Sequence, residues 1–302
     1  MSRNKNIFYW VMLAFPLLQF VIFYIGVNLN SFALAFQTFD YANGGYSFVG
    51  FDNLGFNFLE VLNEFKEAEY LRQAMVNSFL VYFLGLVIGL TLALLFSFYI
   101  YKKGPMSKFF KIILFLPYVI SSITLVIIYK YFVENALPEL VLRVTGIEIE
   151  GLLSNYNTEF YAILFFTIWI GFGVQTVIYS SAMSGISNEI VEATKIDGIT
   201  PFKEFIFIDI PMIAPTISVF VISSTATIFA NQMNLFNFYG TEASNYSIWT
   251  IGYYMYRGVS AAGTTVAEYP YYAAFGLVMT MLSIPITMVV RKIMNKLDPN
   301  EG

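Results

Sequence analysis

The sequence predicts an all-α membrane protein with about six spanning helices and both termini on the cytoplasmic side. Three observations lead there. Of the 302 residues, 58% are hydrophobic and 12% are charged, too few polar residues to cover a soluble domain of this size. Six apolar segments come close to the ~20 residues an α-helix needs to cross a bilayer. Lysine and arginine are also shared unevenly between the connecting segments, as positive-inside sorting requires.

The apolar segments run over Ile7–Leu29, Ser78–Tyr101, Phe109–Phe132, Phe160–Ala182, Ile213–Met233 and Tyr271–Val290. Backbone groups cannot stay unpaired in lipid, so each is expected to be a helix rather than an open strand. The first is too long for the apolar stretch of a secretory signal and lacks a small-residue cleavage site, so it reads as a retained span. With the N-terminus inside, the inner segments hold eleven of the 16 lysines and arginines, among them Lys102, Lys103, Lys108, Lys111, Lys195 and Lys203. The outer segments hold Lys66, Arg72, Lys130, Arg143 and Arg257. An even number of spans returns the C-terminus to the inner side, beside Arg291, Lys292 and Lys296.

The outer segments are acidic, with Glu60, Glu64, Glu67 and Glu69 in the first and Glu134, Glu139, Glu148, Glu150 and Glu159 in the second. This reads as a solvated external surface. Within Glu60–Arg72, Val61, Leu62, Phe65, Ala68 and Leu71 recur at near-helical spacing, which predicts a surface helix. No internal repeat or low-complexity linker interrupts the chain, and one membrane domain over 1–302 is the simplest organisation.

Composition excludes several functions. With no cysteine and no histidine, the chain has no disulfide framework and no thiol chemistry, and no HExxH zinc site. Neither GxGxxG nor GxxxxGK[ST] occurs, so the chain carries no nucleotide-binding loop of either kind. The net charge of −4 comes without the basic stripe that nucleic acid requires. An ion-gradient transporter usually places ionisable groups within its spans; here the segment interiors hold almost none. A membrane enzyme would need catalytic groups, and no paired carboxylates lie inside the spans.

The segment between the fourth and fifth spans is the most informative. Ser187 suits a helix N-cap, with Glu189 in the first turn where the helix dipole favours an anion. Ile190, Val191, Ala193 and Ile196 are expected to supply apolar contacts. Gly198 suits a helix end that needs positive φ, and Thr200-Pro201 reads as a second N-cap followed by N1. The segment is therefore two short helices joined by a sharp bend, and Pro211 and Pro215 fix where span five begins. Such a unit fits helix-in-groove docking on a partner.

Glu192, Ala193, Asp197, Gly198, Phe205, Ile208, Pro211 and Pro215 resemble, in identity and spacing, the "EAA" loop of binding-protein-dependent ABC importer permeases. Ile199 departs from the pattern, where that family usually has a small residue. Phe15-Pro16, the stretch Phe48-Val49-Gly50-Phe51-Asp52-Asn53, Asn77-Ser78 and Phe115-Leu116-Pro117 are similar to the carbohydrate branch of that family. The resemblance covers essentially the whole chain. It implies an ABC type I importer permease fold in a bacterial cell membrane and a coupling loop over about 187–215 that docks on an ATPase dimer. It also implies a second permease completing a heterodimeric pore, an extracellular solute-binding protein, and a sugar substrate. The chain itself would carry no cofactor, with ATP and Mg on the partner ATPase.

In that family spans four and five line the cavity. The resemblance therefore makes Thr167, Trp169, Gly171 and Gln175 of span four, and Ser224, Thr227 and Asn231 of span five, candidates for sugar binding. Serine and threonine in a membrane helix often bond their own backbone instead. Gln175 and Asn231 lead the set, because an amide in hydrocarbon needs a partner. Trp169, Tyr239, Trp249 and Tyr253 are candidates to stack on a sugar ring or to anchor at the interface. The polar segment 234–270 is expected to face outward, within reach of a delivering protein. A reporter fused after Gly302 should read as cytoplasmic; an external reading would refute the six-span topology.

Overall fold

A computed structural model of the protein describes residues 3–49, 55–261 and 265–297. Of the carbohydrate-branch pattern in the first outer segment, Gly50 to Asn53 lie outside the described residues. In chain order the helices are α1 (Arg3–Gln19), α2 (Val27–Leu34), α3 (Gly55–Glu67), α4 (Glu69–Leu84), α5 (Leu90–Tyr101), α6 (Ser107–Val119), α7 (Ser122–Tyr131) and α8 (Leu137–Thr145). They continue with α9 (Tyr156–Met183), α10 (Asn188–Ile196), α11 (Pro201–Glu204), α12 (Ile210–Met212), α13 (Ala214–Ala226), α14 (Leu235–Tyr239), α15 (Ile251–Ser260) and α16 (Tyr269–Leu297). Wider π turns at Phe20–Gly26, Gly85–Gly89, Phe132–Ala136 and Phe205–Asp209 join neighbouring helices without ending them.

Among the described residues, four helical stretches are long and apolar enough to cross a membrane: Phe8–Leu34, Glu69–Tyr101, Tyr156–Met183 and Val266–Lys296. Two further crossings are bent pairs. Ser107–Val119 meets Ser122–Thr145 at 104°, and Pro201–Met212 meets Ala214–Ala226 at 69°. Spans three and five are thus not the continuous helices expected from hydropathy. Pro117 lies three residues before the first break and supplies no N–H to the helix. Pro211 and Pro215 flank Ile213, whose backbone has left the helical region at the second. Span five also stops at Ala226 rather than Met233, and residues 227–234 form turns. The expected surface helix exists as α3 and the start of α4, interrupted at Ala68.

The chain resolves into two compact units. The first takes the residues up to Ala68 together with Gly258–Met281. Besides helices it contains an antiparallel hairpin, β1 (Gln37–Asp40) with β2 (Gly45–Phe48), in register Gln37 with Phe48 and Asp40 with Gly45. No expectation from hydropathy included these strands. Asp40 closes the hairpin by accepting bonds from the Asn43 side chain at 2.6 Å and the Ala42 N–H at 2.8 Å. Those bonds hold its carboxyl below the usual carboxylate range. Asn57 donates to the carbonyls of Ala35 and Gln37, both at 3.0 Å. Tyr46 donates to the Val266 carbonyl at 2.8 Å, and Phe65 stacks on Phe275 with centroids 5.6 Å apart. The first span presents apolar side chains all round, Trp10, Phe15 and Phe23 being 67%, 72% and 68% exposed, as expected of a helix solvated by lipid or covered by another subunit.

The second unit takes Glu69–Arg257 and the end of α16 from Leu282. Its core gathers Ala93, Leu94, Phe172, Tyr179, Met183, Phe205, Ile213, Ile217 and Val221. The helix α9 runs through this core, and α6 crosses it so closely that a Cβ on Gly173 would lie 1.9 Å from the Leu114 carbonyl oxygen. Small residues permit such approaches between membrane helices. Gly173→Ala should therefore force the two helices apart, at a cost of about 1–3 kcal/mol or more. Gly171→Ala should be neutral, because a Cβ there meets nothing within 4 Å. Melting of the detergent-solubilised protein checks both, and an unshifted Gly173→Ala would show that α6 and α9 do not pack this way.

Candidate functional site

Helices α4, α5, α9 and α13 of the second unit enclose an open cleft of about 900 Å³. Six of the seven residues proposed from sequence for sugar binding line it: Thr167, Gly171, Gln175, Ser224, Thr227 and Asn231. They converge because 167, 171 and 175 are four apart on α9 and so share one face. Ser224 lies on α13, and Thr227 and Asn231 lie on the turn that follows it. Trp169 does not join them. It points to another side of α9, where its ring meets Phe166 edge-on with centroids 6.1 Å apart.

The serine and threonine hydroxyl protons at the site are engaged with backbone. Ser224 donates to the Val221 carbonyl at 2.9 Å, Thr227 to the Ser223 carbonyl at 3.1 Å, and Thr167 to the Met233 carbonyl at 3.2 Å. Their oxygens retain lone pairs, so they can accept from a ligand. Asn231 uses its Oδ1 to accept from the Met233 N–H at 2.9 Å. Among the described residues, neither the Asn231 Nδ2 nor the Gln175 amide has a protein partner, and these two amides are the free amide donors of the cleft. No described residue lining it carries a formal charge.

The turn at residues 227–234 is built rather than slack. Thr250 donates to the Asn231 carbonyl at 2.7 Å, and Asn234 donates to the Thr167 hydroxyl at 3.2 Å. Met233 and Asn234 both hold positive φ, 50° and 57°, a conformation that costs residues with a Cβ roughly 1–2 kcal/mol each. Gly252 of α15 lets the turn approach, since a Cβ there would come within 2.6 Å of the Ala230 backbone.

Sequence reasoning missed two tyrosines that line the cleft. Tyr82 shares a hydrogen bond with Thr225 at 2.8 Å, and the Tyr179 hydroxyl is buried with no partner among the described residues. Nothing in their neighbourhood distinguishes them from the other tyrosines in an aromatic-rich chain. Three aromatic residues suggested for stacking are not among the residues lining this cleft, and their polar atoms are engaged within the protein. The Trp249 indole donates to the Ala243 carbonyl at 3.1 Å, the Tyr253 hydroxyl to the Gly240 carbonyl at 3.0 Å, and the Tyr239 hydroxyl to Glu159 at 2.7 Å.

The double helix lies at the end of this unit where α5 and α9 terminate. Ser187 caps α10, accepting from the Ile190 N–H. Gly198 holds φ of 64°. Its N–H reaches the Lys195 carbonyl at 3.2 Å, and the Ile199 N–H reaches the Thr194 carbonyl at 3.1 Å, which together form a Schellman motif. Ile199, the departure from the family pattern, sits half-buried just past the glycine, a position where an apolar side chain commonly packs back on the helix. Thr200 precedes the second helix as expected, although its hydroxyl makes no capping bond.

One expectation about α10 fails: Ala193 is exposed, and Ile196 is 85% exposed. Thr194 is the buried residue. Glu192, Asp197 and Phe202 are exposed beside them, so the outer face combines acid and apolar side chains. Phe205 is buried against Phe98, with ring centroids 4.8 Å apart, while Ile208, Pro211 and Pro215 are half-buried.

Beneath this element, Lys102 at the end of α5 donates to Glu204 at 2.6 Å. Its ammonium also sits 4.7 Å from the centroid of the Tyr101 ring. Asp209 is 1% exposed, and both of its carboxyl oxygens lack a partner among the described residues. The sequence placed Lys102 only as a topology charge and did not foresee either acid.

Residues 85–300 match the family of binding-protein-dependent transport system inner membrane components. The chain belongs to this family. It is 26% identical over 299 residues to the permease protein MsmF of a multiple sugar-binding transport system of Streptococcus mutans, covering 96% of each chain. It is 23% identical over 283 residues to the arabinooligosaccharides transport system permease AraP of Bacillus subtilis, covering 91% of this chain and 85% of that one. Its fold is that of ABC type I importer permeases. A bacterial ABC transporter that imports the acidic polysaccharide alginate aligns with a TM-score of 0.78 at 19% identity, over 97% of this chain and 96% of the other. The permease is thus a multi-pass membrane protein with up to six crossings.

The ion pair yields a prediction for the permease. Its side chains are 29% and 10% exposed, so Lys102→Met strands a largely buried carboxylate at a cost of roughly 1–3 kcal/mol. Adding Glu204→Gln to that variant should restore most of the lost melting temperature. A double variant no more stable than Lys102→Met would show that the charge on Glu204 is not what the lysine serves.

Proposed function

We propose that the permease is the membrane subunit of an ATP-driven importer that moves a sugar or oligosaccharide into the bacterial cell. The chain acts as one permease domain. A second permease completes a heterodimeric pore, an extracellular solute-binding protein delivers the sugar, and a separate ATPase dimer binds ATP and Mg. The observation that carries the reading is the cleft: uncharged, walled by Tyr82, Phe172 and Phe220, and furnished with amide donors and hydroxyl acceptors. Neutral hydrogen-bonding groups beside aromatic faces suit a sugar ring. The relatives support the same class, since their names include transport systems for diacetylchitobiose and for lactose. The solved relative in complex with an alginate pentasaccharide-bound periplasmic protein supports a delivering partner.

Coupling runs through the double helix around Glu192–Pro215, facing the cytoplasm. Ile196 and Phe202 are its apolar knobs, and Glu192 and Asp197 its charges. Docked in an ATPase groove, the unit moves as a body when the ATPase closes. The buried Phe205 then transmits the movement into the packed core behind the cleft.

Two variants test the two ends. Asn231→Ala removes one neutral hydrogen bond, worth ~0.5–1.5 kcal/mol, so uptake at limiting sugar should fall several-fold with assembly intact. Unchanged uptake would place Asn231 outside the sugar site. Gly198→Val places a branched residue at φ of 64°, which strains the bend by more than the roughly 1 kcal/mol of an unbranched side chain. Glu192→Lys reverses the charge of the docking face. Both variants should insert in the membrane, lose the ATPase on purification and fail to transport. Full substrate-stimulated ATP hydrolysis by either would remove the loop from the coupling path.

A further inference from the structure

A second cavity, of about 1070 Å³ counting its open mouth, lies at the same end of the second unit as the double helix. The end of α5, the start of α6 and the end of α9 form its walls. Lys103, Lys108 and Lys111 line one side, and Ser180, Ser181 and Ser184 line the other. Among the described residues, none of the three lysines lies within ion-pair distance of a carboxylate; the neighbouring Lys102 is the one of that cluster paired, with Glu204. A chain of net charge −4 thus concentrates three unpaired cations around one concavity. Like charges converging there repel one another unless an anion sits between them.

The backbone is shaped to hold the lysines in place. Lys103 and Met106 both have positive φ, 53° and 58°, unusual for side chains of this kind. The turn between them is fastened to α5 by the Tyr99 hydroxyl, which donates to the Pro105 carbonyl at 2.5 Å. Lys108 then falls in the first turn of α6, which contains no acid. A cation is disfavoured at that end of a helix dipole, and a bound anion would offset the penalty. The serine hydroxyls donate inward, Ser180 and Ser181 to the Val177 carbonyl at 2.9 Å and Ser184 to the Ser180 carbonyl at 2.7 Å. Their oxygens face the cavity as acceptors for hydroxyl groups of a ligand.

Where α6 leaves the cavity it exposes Phe109, Ile112 and Leu116, at 51%, 65% and 47%. Their spacing of three and four places them on one stripe. A ligand with a phosphate at one end and hydrocarbon at the other matches both features. We propose that the pocket binds an anionic phospholipid, its phosphate held by Lys103, Lys108 and Lys111 and its headgroup hydroxyls by the serines, with an acyl chain along α6. Basic pockets between membrane helices recognise lipid headgroups by this chemistry. Lys102, adjacent to Lys103, grips Glu204 beneath the double helix, so the occupied pocket braces the element proposed to couple transport to ATP.

The test uses the assembled importer, with phosphatidylglycerol as the lipid and phosphatidylcholine as the neutral comparison. Native mass spectrometry of the detergent-purified complex should show a tightly held phosphatidylglycerol that phosphatidylcholine does not replace. With each lysine contributing about fivefold to binding of an anionic lipid, changing all three to glutamine should weaken retention roughly a hundredfold. The triple arginine variant keeps the charge and should retain the lipid, which separates loss of the site from loss of folding. Equal phosphatidylglycerol retention by the glutamine variant and the unchanged protein would overturn the proposal. Displacement of the lipid by millimolar inorganic phosphate would overturn it as well, by assigning the pocket to a free anion. Resistance to phosphate together with arginine rescue would support it.

Discussion

In hydrocarbon every backbone N–H and C=O needs a partner inside the protein, and the cleft exists where helix α13 stops supplying one. From Thr227 the chain leaves helical geometry within the membrane domain. The freed groups are satisfied by side chains from elsewhere: Thr250 on the Asn231 carbonyl, Asn231 itself on the Met233 N–H, and Thr167 on the Met233 carbonyl. Non-helical backbone within a membrane domain is tolerated where it is buried in protein or lines a cavity, and this turn does both. Some residues drawn into repairing the break also face the cleft. Thr167, Thr227 and Asn231 therefore serve structure with one part of the side chain and leave the other to the opening.

The same constraint links the cleft to the opposite end of the unit. Phe172, Tyr179 and Val221 line the cleft and belong to the packed core that also contains Phe205. Phe205 opens a π turn directly after the second short helix and packs at a tilt against Phe98 on α5. A close-packed core transmits displacement rather than absorbing it. Any shift of α11 has to be accommodated by the side chains behind the cleft, or by Lys102 releasing Glu204. The two prolines around Ile213 allow the helix to bend at that point without breaking the packing.

Much of this was legible in the sequence because it is periodic or local. Hydropathy located the crossings, since burying apolar side chains in lipid is a sum over about twenty neighbours. Ser187, Gly198 and Pro201 marked the double helix because caps and left-handed turns are decided within a few residues. The spacing of Thr167, Gly171 and Gln175 fixed their common face. The illegible parts depend on what lies across the fold. Hydropathy ran span five to Met233 because Ile228, Phe229 and Ala230 continue the apolar run past Thr227; only its partners on α9 and α15 reveal the break. Trp169 shares a helix with the lining residues but differs in angular position, which a list of polar and aromatic candidates does not resolve. The hairpin Gln37–Phe48 is too short to stand out from a loop, and the pairing of Lys102 with Glu204 spans 102 positions.

The distribution of charge bears on how a transport site of this kind works. Glu159, Lys130, Lys102, Glu204 and the lysines of α6 are among the described charges of the second unit, and the cleft is lined by none. A sugar held there would gain a handful of neutral hydrogen bonds, each worth about 0.5–1.5 kcal/mol net. That total is modest, and an importer benefits from keeping it so, because a solute held strongly at the midpoint would have to be torn away in every cycle. Selectivity can then come from geometry, from two amide donors set across a cleft whose shape is fixed by the turn at 227–234. In the importer proposed above, affinity is left to the delivering protein, and the charged ends are free to meet partners and the membrane surface.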